Sequence, residues 1–212
     1  MIVTERNRRI LWLIIFIGCM LPAADLLRRL FTGDLGADPV ETLIRTTGDW
    51  AIKLLVAGLL LTPLTRIARN PLPVRFRRLI GLYAFFYVCI HLTLYLSVDQ
   101  GFDLHAIVKD ILKRPYITFG MMAFLLLLPL AITSTRKMVA RLGPKRWRQL
   151  HRAVYVAASF GVIHYYLLVK ADITWPLIYG TILAAALGWR LWNSLTLSAL
   201  QDTGRLSSGC KP

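Results

Sequence analysis

Continuous apolar stretches alternate with polar or basic connections along most of the chain. Each stretch approaches the ~20 residues that a helix needs to cross a hydrocarbon core about 30 Å thick. Tryptophans flank several stretches, as interfacial aromatic residues do in membrane proteins. The pattern therefore predicts six membrane helices, at residues 10–27, 50–65, 79–98, 117–135, 150–169 and 173–192.

The first apolar stretch admits a second interpretation. It follows a basic start, and the Pro-Ala-Ala at 22–24 resembles a signal-peptide cleavage site. It is, however, longer than the apolar core of about 7–15 residues that signal peptides carry. We therefore predict that it is retained as a helix; its removal would leave one span fewer.

The composition agrees with a membrane protein. Of 212 residues, 56% are hydrophobic and only 17% are charged, yet the net charge is +15. Soluble domains are nearer 45–50% apolar. Nucleic-acid binding is the other usual interpretation of a basic chain, but here the basic residues lie between apolar stretches and not on a polar domain. We therefore expect membrane lipid as a partner and no nucleic acid.

The basic residues also predict an orientation. The second and fourth connections are basic and contain no acidic residue, whereas the others are mixed or acidic. Basic loops face the cytoplasm in membrane proteins. The predicted fold is thus an all-α integral membrane protein, a six-transmembrane-helix bundle with both termini cytoplasmic. Its parts are a basic tail at 1–9, the membrane domain at 10–192 and a short tail at 193–212.

Two histidines within apolar stretches are the candidate chemical residues. His91 is 12 residues past Leu79, and His164 is 11 past Ala153, which places both about 16–18 Å from the same face of the bundle. Two imidazoles at one depth suit the axial positions of a haem iron. Zinc is a weaker alternative because it usually takes four ligands. In the simplest alternative, each histidine only bonds a carbonyl or hydroxyl group within the bundle.

A third histidine, His151, lies at the cytoplasmic edge of the fifth stretch. It could ligate a second haem with another group, contact a flavin or quinone headgroup, or simply sit at the interface. The basic connections can be explained by topology and anionic lipid. Some of their arginines could also contact a haem propionate or a flavin phosphate; the candidates are Arg77, Arg78, Arg148 and Arg152.

Several segments resemble the MsrQ (YedZ) family. They are LGADPV at 35–40, RRLIGLYAFFYVCIHLTLY at 77–95 and LGPKRWRQLHRAVYVAASFGVIHYYLLVK at 142–170. MsrQ proteins are the haem-binding membrane subunits of the bacterial MsrPQ methionine sulfoxide reductase system, within the ferric-reductase-like transmembrane group.

The resemblance implies a function. The chain would carry electrons across the bacterial inner membrane from the quinone pool or a cytoplasmic flavin reductase, using haem b and FMN. The acceptor would be MsrP, a periplasmic molybdopterin enzyme that repairs oxidised methionines in envelope proteins. The chain itself would not be the methionine sulfoxide reductase. By resemblance His91 and His164 are haem ligands, and the loop at 35–40 either docks MsrP or is a turn capped by Asp38.

Two rival functions remain open at this point. One is transmembrane electron transfer to another acceptor, such as an iron chelate. The other is a haem- or quinone-binding sensor or transporter without redox output. Ferric reductases carry a C-terminal flavin and nucleotide domain, but the sequence has no GxGxxG motif and only about 20 residues after Trp192. We therefore expect the electrons to come from a separate donor.

Overall fold

The computed structural model describes residues 5–169 and 171–208, and within them it contains helices and connections but no strand. A five-residue π-helical turn, Tyr95–Asp99, extends the fourth helix. The helices are α1 (Glu5–Thr32), α2 (Pro39–Ile67), α3 (Leu72–Arg75), α4 (Arg77–Leu94), α5 (Leu104–Lys113), α6 (Pro115–Ile132), α7 (Arg136–Leu150), α8 (Ala153–Leu168) and α9 (Thr174–Ser208).

Each predicted apolar stretch overlaps a long helix, although several helix ends differ from the predicted bounds. Four of them, α1, α2, α4 with its π-helical turn, and α6, are long and apolar enough to cross a membrane. Helix α8 is apolar but has only 16 residues. An all-helical protein with several candidate spans is thus confirmed, while the count of six spans and the side of the termini stay predictions.

Two antiparallel helix pairs form the centre of the bundle. In the first pair, Gly48 and Gly58 of α2 approach His91 and Ile80 of α4. The second pair is formed by α6 and α8. Gly120 of α6 lies beside His164 of α8 at one end of this pair, and His151 lies near its other end. Phe85 and Phe124 stack between α4 and α6, 6.0 Å apart. Small side chains allow this close approach, and Ala84, Ala157 and Ala158 are wholly buried.

Helix α1 is fixed to α4 at its internal proline. The hydroxyl of Tyr87 donates to the carbonyl of Cys19 at 2.8 Å and accepts from the amide of Ala23 at 3.0 Å. These two backbone groups would ordinarily bond each other within the helix. The hydroxyl is therefore inserted into the backbone ladder beside Pro22, which is a known cause of helix bending.

Helix α9 lies against α2 and α8. Pro63 has no amide hydrogen, so the carbonyl of Leu59 lacks its ordinary helical partner. Arg190 of α9 donates to this carbonyl from Nη2 at 3.1 Å. Helix α9 continues past Trp192 to Ser208, so the described part of the predicted tail at 193–212 is helical. Residues 1–4 and 209–212 of the two predicted tails lie outside the described residues.

Helix α7 is bent and leads into α8. Gly143 interrupts it with φ 74°, a backbone conformation that glycine adopts without strain, and Pro144 begins the second part. Trp147 donates from Nε1 to the carbonyl of Thr133 at 3.0 Å, which ties α7 to the end of α6. We call the end of the bundle where α2 and α6 end, and where α4 and α8 begin, the basic end.

Candidate metal centre

The ring of His91 is oriented by helix α2. Its Nδ1–H donates to the carbonyl of Ile44 at 2.9 Å. Gly48, one turn further along α2, lies against the same ring: a Cβ there would be 3.0 Å from both Cε1 and Nδ1. Such a separation is tighter than nearly all ordinary contacts, so any larger residue at position 48 would require the imidazole to shift.

The ring of His164 is oriented by helix α6 in the same way. Its Nδ1–H donates to the carbonyl of Tyr116 at 2.6 Å. A Cβ at Gly120 would be 2.9 Å from Nδ1 and 3.1 Å from Cε1. In both helix pairs, then, the histidine bonds a carbonyl and packs on a glycine four residues later. This repeated arrangement was not foreseen from the sequence.

The two imidazoles lie close together, nearly at right angles. Their ring centroids are 6.1 Å apart and their planes are inclined at 81°. Two imidazoles that ligate one metal ion from opposite sides would have centroids about 6 Å apart, because each metal–nitrogen bond is about 2 Å and each nitrogen lies about 1 Å from its ring centre. The distance between the ring centroids therefore agrees with a group that takes two axial nitrogen ligands.

The tautomer of each ring also suits ligation. Because Nδ1 carries the proton that is donated to the carbonyl, Nε2 keeps its lone pair free. Histidines that ligate a metal commonly donate their second nitrogen to a backbone carbonyl in this way. A role limited to hydrogen bonding would also produce these bonds from the histidines to backbone carbonyls, but the bonds use only one nitrogen of each ring.

Within the described residues, no three side chains of His, Cys, Asp or Glu form a cluster that could hold a metal ion, which disfavours a four-ligand zinc site.

His151 lies apart from this pair, in the turn between α7 and α8. The stretch predicted to begin at Leu150 is in fact interrupted, because α8 begins at Ala153. The ring of His151 stacks on Trp147 at 3.8 Å, and its Nδ1–H donates to the carbonyl of Trp147 at 3.0 Å. Its Nε2 is buried without a hydrogen-bond partner.

The surroundings of His151 favour its neutral imidazole. Burial lowers the pKa of His151, and the nearby charge of Arg77 lowers it further, against the opposing effect of the carbonyls of Trp147 and Leu130. The lowered pKa favours the neutral form of the ring at pH 7. A neutral, stacked imidazole with an unpartnered Nε2 can accept a hydrogen bond or ligate a metal.

The predicted arginines fall into two groups. Arg77 is half-buried near His151, whereas Arg78, Arg148 and Arg152 are exposed. Sequence reasoning missed Arg190, which looks like an ordinary cation near the end of an apolar stretch. The proline at 63 was the available signal, because it leaves a carbonyl that a neighbouring cation can satisfy.

The remaining candidates lie away from the histidine pair. Asp38 caps α2, since its Oδ1 accepts from the amide of Glu41 at 2.9 Å. This capping bond gives the Asp-Pro sequence of the loop at 35–40 a structural role, so the loop can be explained without a partner protein. His105 is exposed in the first turn of α5. A cleft of about 370 Å³ between α1 and α2 is lined by residues that include Asp25 and Trp50, and it contains none of the predicted site residues.

Comparison with known proteins identifies the family. The sequence model described as the ferric reductase like transmembrane component matches residues 47–162. The chain is 49% identical to a protein of Caulobacter vibrioides over 85% of this chain and 86% of that protein. It is 52% identical to a protein of Rhodospirillum rubrum over 84% of this chain and 85% of that protein. Both relatives are named protein-methionine-sulfoxide reductase heme-binding subunit MsrQ.

The chain belongs to the MsrQ family. A third MsrQ protein, from Herminiimonas arsenicoxydans, is 48% identical over 82% of this chain and 80% of its own length. The ferric-reductase-like region includes Gly48, His91 and Gly120 and ends two residues before His164. The resemblance drawn from the sequence motifs is thereby confirmed. The roles of the individual histidines and arginines stay predictions.

Proposed function

We propose that the chain is a membrane cytochrome b-type electron-transfer subunit. It binds haem b through His91 and His164 and passes electrons across the bacterial inner membrane to the periplasmic reductase MsrP, which repairs oxidised methionines. The observation that carries the proposal is the close pair of imidazoles, 6.1 Å apart, with each Nδ1 bonded to a carbonyl. The names of the MsrQ relatives support haem binding and a part in methionine sulfoxide reduction.

The two histidines suit electron transfer. A haem iron supplies one-electron chemistry, and two axial imidazoles leave no open position for oxygen. His91 and His164, which come from two different helix pairs, would together hold the haem. The carbonyls of Ile44 and Tyr116 hold the rings rigidly, which limits reorganisation when the charge of the site changes.

The basic end would be where electrons arrive. His151 precedes His164 by 13 residues, about 20 Å along a helix. A further carrier is needed over this distance, and the FMN, quinone or second haem expected from the sequence would lie there. The quinone pool or a cytoplasmic flavin reductase would supply the electrons. The neutral, half-buried imidazole of His151 lies at this end and is available to such a group.

Reoxidation kinetics test the proposed acceptor. The haem of the purified protein in nanodiscs is reduced with limiting dithionite, and its reduced absorption band is followed after addition of MsrP with a methionine sulfoxide substrate. We expect reoxidation that depends on the concentration of MsrP. The matched control is MsrP without its molybdopterin cofactor, which should leave the haem reduced.

The same measurement separates the rival functions. The ferric-reductase-like family match favours ferric citrate as the second acceptor to test. Reoxidation by ferric citrate at a higher rate than by MsrP would favour an iron-chelate reductase. A reduced haem that neither acceptor reoxidises would contradict electron transfer and favour a sensor or transporter.

A further inference from the structure

Helix α5 carries a row of exposed apolar side chains. Leu104, Val108 and Leu112 are 77%, 55% and 80% exposed, and we call these three residues the apolar stripe. They are four residues apart, so they lie within an arc of about 80° on the helix surface. The residue that follows each of them is polar and exposed. These three polar neighbours are His105, Lys109 and Lys113.

The remaining side of α5 is fixed to the protein. Ile107 is buried, and the hydroxyl of Thr118 in α6 donates to the carbonyl of Ile111 at 2.7 Å. Asp110 forms an ion pair at 3.2 Å with Arg114, the residue that ends the helix. These contacts set the rotation of α5 about its axis. The apolar stripe therefore points away from the bundle because the opposite side of the helix is already packed.

The ends of α5 lie beside two candidate membrane spans. The span formed by α4 and its π-helical turn ends at Asp99, and the span formed by α6 begins at Pro115. Because these spans are consecutive, both ends lie at the same membrane boundary, and only residues 100–114 connect them. Helix α5 has ten residues, about 15 Å, which is too short to cross a core of about 30 Å. It therefore lies at the boundary between hydrocarbon and water.

We propose that α5 lies in the plane of the membrane interface and inserts the apolar stripe into the lipid bilayer. Amphipathic interfacial helices bury their apolar side about 5–10 Å into the boundary of headgroups and acyl chains, and their polar side is rich in Lys and Arg. Among the ion pairs of the described side chains, none involves Lys109 or Lys113, so both can contact lipid phosphates. The predicted spans at 79–98 and 117–135 left this segment as a connection only.

Spin labels at single cysteines test the position of α5. The full chain without its native cysteines is placed in nanodiscs of phosphatidylcholine and phosphatidylglycerol. Each label is exposed to oxygen, which dissolves in lipid, and to a nickel chelate, which stays in water. The labelled variants are Leu104→Cys, Val108→Cys and Leu112→Cys, with His105→Cys, Lys109→Cys and Lys113→Cys as matched controls. We expect the ratio of oxygen to nickel accessibility to be several-fold higher at each position of the apolar stripe than at its polar neighbour.

Two results would overturn the proposal. Equal ratios at the apolar stripe and at its polar neighbours would place both sides of α5 in water. Exclusion of both reagents from the apolar stripe would show that a second copy or another protein covers it.

A second measurement tests whether the apolar stripe holds the helix at the bilayer. With the label at Val108→Cys, the pair Leu104→Gln and Leu112→Gln should raise accessibility to the nickel chelate. The matched pair His105→Gln and Lys113→Gln should leave it unchanged, and circular dichroism verifies that each variant is folded. If the two pairs act alike, the apolar stripe does not anchor α5 in lipid, and the proposal is wrong.

Discussion

Each imidazole of the pair is positioned by a carbonyl and a glycine of the adjacent helix. The carbonyl sets which nitrogen is protonated, and the glycine sets how closely the ring approaches the helix. Depth along a helix is readable from the sequence, because the rise per residue is constant. The rotation of a helix about its axis cannot be read from the sequence, because it depends on packing between helices. For this reason His91 and His164 could be predicted as a pair, whereas Gly48 and Gly120 could not.

Substitution of Gly120 by Ala tests this positioning. On an open helix surface, glycine to alanine stabilises by about 0.4–1 kcal/mol. At position 120 the new Cβ would lie 2.9 Å from Nδ1 of His164, and such overpacking costs about 1–3 kcal/mol. We expect haem affinity to fall by about tenfold, as is typical when the support of a ligand is lost, and the midpoint potential to shift.

Gly81 supplies the matched control, because a Cβ there would meet nothing within 4 Å. The measurements are haem affinity, obtained by titrating haem into the apoprotein, and the reduction potential. Equal behaviour of Gly120→Ala and Gly81→Ala would show that the glycine does not set the position of the imidazole.

At the scale of the helices, the interiors were easier to predict than the ends. The second apolar stretch was expected to begin at Trp50, yet α2 begins at Pro39. The helical turns that the prediction left out contain Glu41, Arg45 and Asp49. Their charges interrupt the apolar pattern on which the predicted stretch was based. This part of α2 supplies the carbonyl of Ile44, so an important contact of the site lies outside the predicted stretch.

Tyr87 provides a prediction for helix α1. Substitution by Phe removes the hydroxyl that bonds Cys19 and Ala23. A typical buried hydrogen bond contributes about 1 kcal/mol, and the two backbone groups can pair with each other once the hydroxyl is gone. We therefore expect Tyr87→Phe to lower the free energy of unfolding by about 1 kcal/mol, measured by thermal unfolding in detergent. Tyr166→Phe, at a ring that is 46% exposed, should change it far less, and equal losses would contradict the anchoring of α1.

At the scale of the whole molecule, charge and helix order predict the orientation in the membrane. The connection from α2 to α4 is basic, whereas the connection from α1 to α2 contains Asp34 and Asp38. Basic connections remain on the cytoplasmic side. Four described helices are long and apolar enough to cross a membrane, so six spans and the side of each terminus stay predictions.

Labelling of single cysteines measures the topology. In a background without the native cysteines, Asp34→Cys should react with an impermeant maleimide in intact spheroplasts. Asn70→Cys should react only after permeabilisation, and so should a variant that keeps Cys210 alone. Labelling of Asn70→Cys and of Cys210 from opposite sides would contradict six spans with both termini inside.

The central claim is that His91 and His164 together hold one haem, and the haem-to-protein ratio tests it most directly. The ratio is measured on purified wild-type protein and on His91→Ala, His164→Ala and His105→Ala, with membrane insertion verified for each. His105 is exposed on α5, so His105→Ala should keep the wild-type ratio. His91→Ala and His164→Ala should each lose haem by at least about tenfold, because even supporting partners of a metal ligand are worth 10–100-fold in affinity. Full haem content in both variants would contradict the assignment.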